Sequence, residues 1–161
     1  AFTYPLMKRY TYWPQLFLGI TFNYGLIIAW ASINNQISLT PIIFYIGAIF
    51  WTLGYDTIYG LKDMHDDEII GVKSTSIKFK NNPKVFVGSC YCLCVLFILI
   101  MFFMMQIEKY ILPISIMFIS TLAFQIKFFT ASKPSSCLSA FKINNLTGLF
   151  IFLFILSFKI L

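Results

Sequence analysis

The 161 residues, 18.6 kDa, are enough for one ordinary domain. Hydrophobic residues make up 59%, charged residues only 11%, and the mean hydropathy is +0.81. So few charges cannot cover a soluble globule of this size, and so apolar a chain does not stay disordered; an integral membrane protein remains.

The chain opens with Lys8 and Arg9 beside Tyr10, Tyr12 and Trp13, the basic and aromatic mixture of a membrane interface. No secretory signal is visible, and the first residue is Ala1 rather than Met, which predicts a fragment or a truncated product. Between Arg9 and Asp56 the chain carries no charge. A helix crossing a bilayer needs about 20 mostly apolar residues. Stretches of this kind predict spans at roughly 14–33, 39–60, 85–106, 110–127 and 144–160. Pro14, the Asn34-Asn35-Gln36 run, Pro41 and Asn81-Asn82-Pro83 set the limits of the first three. The apolar runs are continuous rather than alternating, so the fold class is all-α and not a transmembrane barrel. The whole of 1–161 reads as one membrane domain of about five helices.

Cys90, Cys92 and Cys94 alternate inside the third predicted span, and helical spacing divides them between faces. They read, with Cys137, as buried inert thiols rather than zinc ligands or a disulfide framework. Asn144 and Asn145 read as the cap of the last helix. Five spans place ten of the twelve basic residues on one side and leave Lys109 and Lys159 on the other. The basic side is then cytoplasmic, or the matrix side of a mitochondrion, and the charge needs no nucleic-acid partner.

The chemistry concentrates between residues 55 and 75, where five of the six acidic residues lie: Asp56, Asp63, Asp66, Asp67 and Glu68. If the second helix runs on through this stretch, Asp56, Asp63 and Asp67 fall within about 20° of one line, with Tyr59 and Gly60 beside it. Like charges on one stripe repel, and a carboxylate at membrane depth is costly. A hard divalent cation offsets both, and Mg2+ is usually held by one or two carboxylates together with phosphate oxygens. A solvated acidic loop is the plainer alternative. Gly71, Lys73, Ser74 and Thr75 have the makings of a phosphate cradle, with Lys8 and Arg9 on the same side to close it. Positive-inside anchoring explains Lys8 and Arg9 equally well. His65, the only histidine, points away from the stripe and reads as a surface residue. The picture is a Mg2+–diphosphate site opening onto apolar helices.

The segment Tyr55-Asp56-Thr57-x-Tyr59, Asp63-x-x-Asp66-Asp67, Gly71-x-Lys73-Ser74-Thr75 resembles the second aspartate-rich motif of UbiA-type prenyltransferases. The opening Tyr4-Pro5-Leu6-Met7-Lys8-Arg9-Tyr10-Thr11 with Pro14-Gln15 resembles the 4-hydroxybenzoate polyprenyltransferase branch, as do Ala140-Phe141 and Asn144-Asn145-x-x-Gly148. The resemblance implies part of a nine-helix bundle around a central cavity. It implies that Asp63 and Asp67 bind Mg2+, and that Asp56 and Tyr59 line the cavity and steady a carbocation or a second metal. Arg9 would hold diphosphate or the benzoate carboxylate, while Lys8 and Lys73 support diphosphate charge. It also implies polyprenyl diphosphate and 4-hydroxybenzoate as substrates, in ubiquinone biosynthesis. The membrane would be bacterial inner or mitochondrial inner. His65 stands where the family often has another aspartate.

The family's first aspartate-rich motif does not occur in these residues, so the chain is expected to be the C-terminal part, completed by N-terminal helices in cis or in trans. Transfer to a naphthoate or haem acceptor, an ion-conducting subunit and an inactive remnant are the alternatives. The Tyr-Pro-Leu-Met-Lys-Arg stretch argues against the first, and polar residues confined to one membrane edge argue against the second.

Overall fold

The computed structural model describes residues 4–106 and 108–160, so Ala1 falls outside it. The side chains of Lys109 and Lys159, assigned above to the opposite face, also lie outside the described set. Among the described residues nine helices follow one another: α1 (Tyr4–Tyr10), α2 (Pro14–Phe22), α3 (Tyr24–Asn34), α4 (Leu39–Lys62), α5 (Met64–Ile70), α6 (Thr75–Lys78), α7 (Pro83–Met104), α8 (Glu108–Phe128) and α9 (Pro134–Ile160). There is no strand among the described residues.

Among the described residues, four helical stretches are long and apolar enough to cross a membrane: Pro14–Asn34, Leu39–Lys62, Pro83–Met104 and Pro134–Leu153. The first combines α2 and α3. Asn23 marks their junction, its side-chain N–H donating to Gly19 O at 2.8 Å and to Thr52 Oγ1 of α4 at 2.8 Å. The predicted span 110–127 lies inside α8, whose described apolar part, Ser115–Phe128, is shorter. The last helix differs most from expectation. It starts at Pro134, ten residues before the predicted 144, so Lys142 is a helix residue and not a loop cation, and Asn144 is no cap. An exposed lysine can carry its charge outward along its stem, and therefore does not end an apolar helix.

Helix α4 is the hub. It packs most extensively on α7 and then on α2 and α9. The core it builds with its neighbours includes Ile58, Leu61, Val87, Tyr91, Cys94, Ile98, Phe118 and Leu122. Cys90, Cys94 and Cys137 are free and buried, while Cys92 is free and exposed, not buried as the sequence implied. Exposed apolar side chains cover the outer faces, as a bilayer-facing bundle requires.

Gly54 allows the closest approach in this core. A Cβ there would sit 2.7 Å from Cδ1 of Tyr91, a ring held by its own hydrogen bond to Gln125. Gly54→Ala is therefore expected to cost about 1–3 kcal/mol, as overpacked cores do. Gly25, with nothing within 4 Å of such a Cβ, serves as the control. Thermal unfolding in detergent of both alanine variants measures the difference.

Candidate active site

The helix carrying Asp56 does not run on to Asp67. α4 ends at Lys62, and Asp63 takes φ −102° and ψ 6°, outside the helical region. A new helix, α5, starts at Met64, with Asp67 N bonded to Asp63 O at 2.9 Å. The three aspartates therefore do not form one continuous stripe. No group of three His, Cys, Asp or Glu side chains that could share a metal ion is found among the described residues. Asp63, the residue between α4 and α5, and Asp67 in the first turn of α5 remain four residues apart. Asp56 sits one to two turns back within α4, partly buried.

The basic residues reach this corner from α1. Lys8 Nζ pairs with Asp67 Oδ2 at 3.2 Å, and Asp67 is only 14% exposed. The Lys73 N–H donates to Lys8 O at 2.7 Å, and Lys73 Nζ donates to Tyr10 O at 3.4 Å. Lys8, Asp67 and Lys73 are thus assembled by one backbone contact and one ion pair. Arg9 is exposed on the same last turn of α1. Lys62 lies 3.6 Å from Asp63 Oδ1, and its ammonium stands 5.4 Å from the centre of the Tyr59 ring. His65 is exposed, as expected.

The phosphate cradle read at Lys73-Ser74-Thr75 is only partly present. Ser74, Thr75 and Ser76 are fully buried. Ser74 Oγ caps α6 by accepting from Ile77 N at 3.2 Å. Thr75 Oγ1 meets Thr57 Oγ1 at 2.7 Å, and Ser76 Oγ donates to Thr57 O at 2.8 Å. These hydroxyls are consumed in docking α6 onto α4, because a buried hydroxyl without a partner is costly. Lys73 alone is left for a ligand. Gln15, which the sequence showed only within a motif, is 3% exposed and accepts the Thr75 N–H at 3.0 Å. It ties α2 to the loop behind Lys73.

Gly71 closes α5 at φ +78° with open space around it. Gly71→Ala is expected to cost roughly 1 kcal/mol through left-handed backbone strain alone. Gly71→Asn should recover part of that loss, since Asn tolerates this conformation. Thermal melts of both variants check the order.

An aromatic row leads away from the aspartates. Trp51, Tyr55 and Tyr59 follow one another at turn spacing along α4, and Phe141 of α9 packs against the last two. Tyr59 and Phe141 centroids lie 4.8 Å apart, Tyr55 and Phe141 5.7 Å, and Trp51 and Tyr55 6.1 Å.

The corner thus holds two carboxylates four residues apart, one of them paired with Lys8, and Lys73 tied to Lys8 by its backbone. The family model described as the UbiA prenyltransferase family matches residues 1–155. The chain belongs to the UbiA prenyltransferase family. A bovine protein named 4-hydroxybenzoate polyprenyltransferase, mitochondrial, is 37% identical over 94% of the chain and 41% of its own length. The 4-hydroxybenzoate octaprenyltransferase of Xylella fastidiosa (strain M23) is 34% identical over 94% of the chain and 51% of its own length. An Arabidopsis thaliana 4-hydroxybenzoate polyprenyltransferase, mitochondrial, is 45% identical over 53% of the chain and 21% of its own length. The chain thus spans about half or less of these relatives. No solved structure matches it.

The donor set fits a divalent cation of the Mg2+ type. Asp63 and Asp67 offer hard oxygens four residues apart, and two protein carboxylates are what such an ion takes when phosphate oxygens complete its shell. The Lys8–Asp67 pair shows the same corner already balancing negative charge with positive.

Proposed function

We propose that this chain provides the second aspartate-rich side of an enzyme that transfers a polyprenyl group from polyprenyl diphosphate to 4-hydroxybenzoate, in ubiquinone biosynthesis. The observation that carries the reading is the corner where Lys8 pairs with Asp67, four residues on from Asp63, and the Lys8 carbonyl holds the Lys73 N–H. Asp63 and Asp67 would hold Mg2+, which when bound supplies charge neutralisation for the diphosphate. Lys8 and Lys73 add positive charge there, and Arg9 on the same turn as Lys8 binds diphosphate or the benzoate carboxylate. Such groups, fixed before the reaction, stabilise charge as it develops.

In the reaction the allylic C–O bond to diphosphate breaks, and the diphosphate departs with the bonding electrons. A C–C bond forms at the ring carbon ortho to the hydroxyl, which then loses its proton. Tyr59 and Asp56 line the route of the allylic cation; an aromatic face and a carboxylate both favour positive charge. The apolar helices hold the tail and exclude water that would quench the cation. The site lies at the cytoplasmic face of a bacterial inner membrane, or at the matrix face in a mitochondrion.

The test uses membranes carrying the chain, alone and with the N-terminal helices of a relative supplied separately. They receive a polyprenyl diphosphate and ring-labelled 4-hydroxybenzoate. Labelled prenylated product that disappears with EDTA and returns with Mg2+ is the expected result. No labelled product from 4-hydroxybenzoate, while a naphthoate supplied in its place is prenylated, would contradict the acceptor. No product in either case, while an intact relative is active in parallel, would contradict the function.

A further inference from the structure

A polar network joins the helices on residues other than the aspartates. Trp51 of α4 donates its indole N–H to Asn144 Oδ1 of α9 at 3.0 Å. The same oxygen accepts from Gln125 Nε2 of α8 at 3.1 Å. Gln125 also donates to Thr147 Oγ1 at 3.3 Å and accepts from the Tyr91 hydroxyl of α7. Asn144 Nδ2 donates to Phe141 O at 2.9 Å. One polar chain therefore joins four helices, and Gln125 and Thr147 within it are fully buried. Polar groups at membrane depth are expensive unless each is paired, and a fully paired network holds its members in one arrangement.

Trp51 is the member that carries a large ring and is only half-buried. It stands at the deep end of the aromatic row, twelve residues before Asp63, or about 18 Å at the rise of an α-helix. Phe118 of α8 packs edge-on against it at 5.9 Å. Its rim lies against Gly148, where a Cβ would come within 3.4 Å of Cη2. The indole is thus locked in one orientation, at a fixed depth below the diphosphate corner.

We infer that Trp51, held by Asn144, is a specificity-determining residue for the prenyl tail: its ring forms the wall that distal isoprene units reach and shorter tails do not. Asn144 and Gln125 act through Trp51 as positioning residues. The inference rests on the prenyl-transfer reading and adds a tail-length gauge to it.

The test removes two of the three tryptophans, as Trp13→Phe and Trp30→Phe, so that emission reports Trp51 alone. The chain in lipid nanodiscs is titrated with geranyl diphosphate and with longer polyprenyl diphosphates, in Mg2+. Long tails should move the Trp51 emission and bind about tenfold more tightly than geranyl diphosphate. In an Asn144→Ala background that difference should shrink to within about threefold. Trp51→Phe keeps a ring and leaves Asn144 paired with Gln125, so it tests the same point if Asn144→Ala fails to fold. Followed by heat release, it should also flatten the length dependence. Tails that bind without moving Trp51 emission, or variants that lose thermal stability yet keep the length dependence, would overturn the inference and leave the function standing. If no prenyl diphosphate binds at all, the function and the inference fall together.

Discussion

Asp67→Asn is expected to lower prenyl transfer by roughly 10²–10³-fold, the scale seen when one fixed electrostatic group is removed from a site of developing charge. The change keeps the size of the side chain and removes its charge. Lys8, which now sits 3.2 Å from Asp67 Oδ2, loses its partner, and the Asp63–Asp67 pair can no longer bring two negative charges to a cation. Stability should hardly change. Lys8 is 38% exposed in the pair, and partly exposed ion pairs contribute at most about 1 kcal/mol. Transfer rates and thermal melts of the same preparation separate the two effects. A variant that melts early and transfers normally would make Asp67 a structural residue only.

Gln15→Leu has the largest expected effect outside the aspartates. Gln15 is the buried acceptor for the Thr75 N–H. Leucine matches its bulk but leaves that N–H unpaired inside the protein, at a cost of about 1–3 kcal/mol. The damage should also reach the ligand. Thr75 starts α6 two residues after Lys73, and Lys73 N holds the carbonyl of Lys8. A loosened α6 therefore blurs both cations of the corner. The expected result is a lower melting temperature together with weaker binding of diphosphate. Ser89→Ala, an exposed hydroxyl that bonds only to its own helix at Val85 O, should change neither. Gln15→Leu with unaltered melting and binding would show that α6 is held by the Thr57 contacts alone.

Charge spacing made the membrane helices legible. Long uncharged runs leave the backbone no route but helix, and the helical stretches at 14–34, 39–62 and 83–104 lie close to where those runs lie. The same rule misplaced the start of α9, because Lys142 was taken as a loop cation although a lysine stem can lie along a helix. The break at Asp63 left no trace, since neither proline nor glycine stands at that position. The helix that follows the break, α5, is tied to α1 by Lys8 on Asp67. Candidate ligands could be named from residue type, but their use could not. Ser74 and Thr75 looked available for phosphate and are spent on packing. Asn144 looked like a cap and instead receives the Trp51 indole from a helix more than ninety residues away in sequence. Contacts of that range depend on how the helices are arranged, which local patterning does not encode.

The most direct measurement is Mg2+-dependent binding of a polyprenyl diphosphate to the chain in nanodiscs, followed by heat release, with Asp63→Asn/Asp67→Asn beside it. The expected result is binding that needs Mg2+, is lost with EDTA, and weakens by at least about tenfold in the double variant. Binding that is indifferent both to Mg2+ and to the loss of the two aspartates would contradict the placement of the diphosphate at this corner.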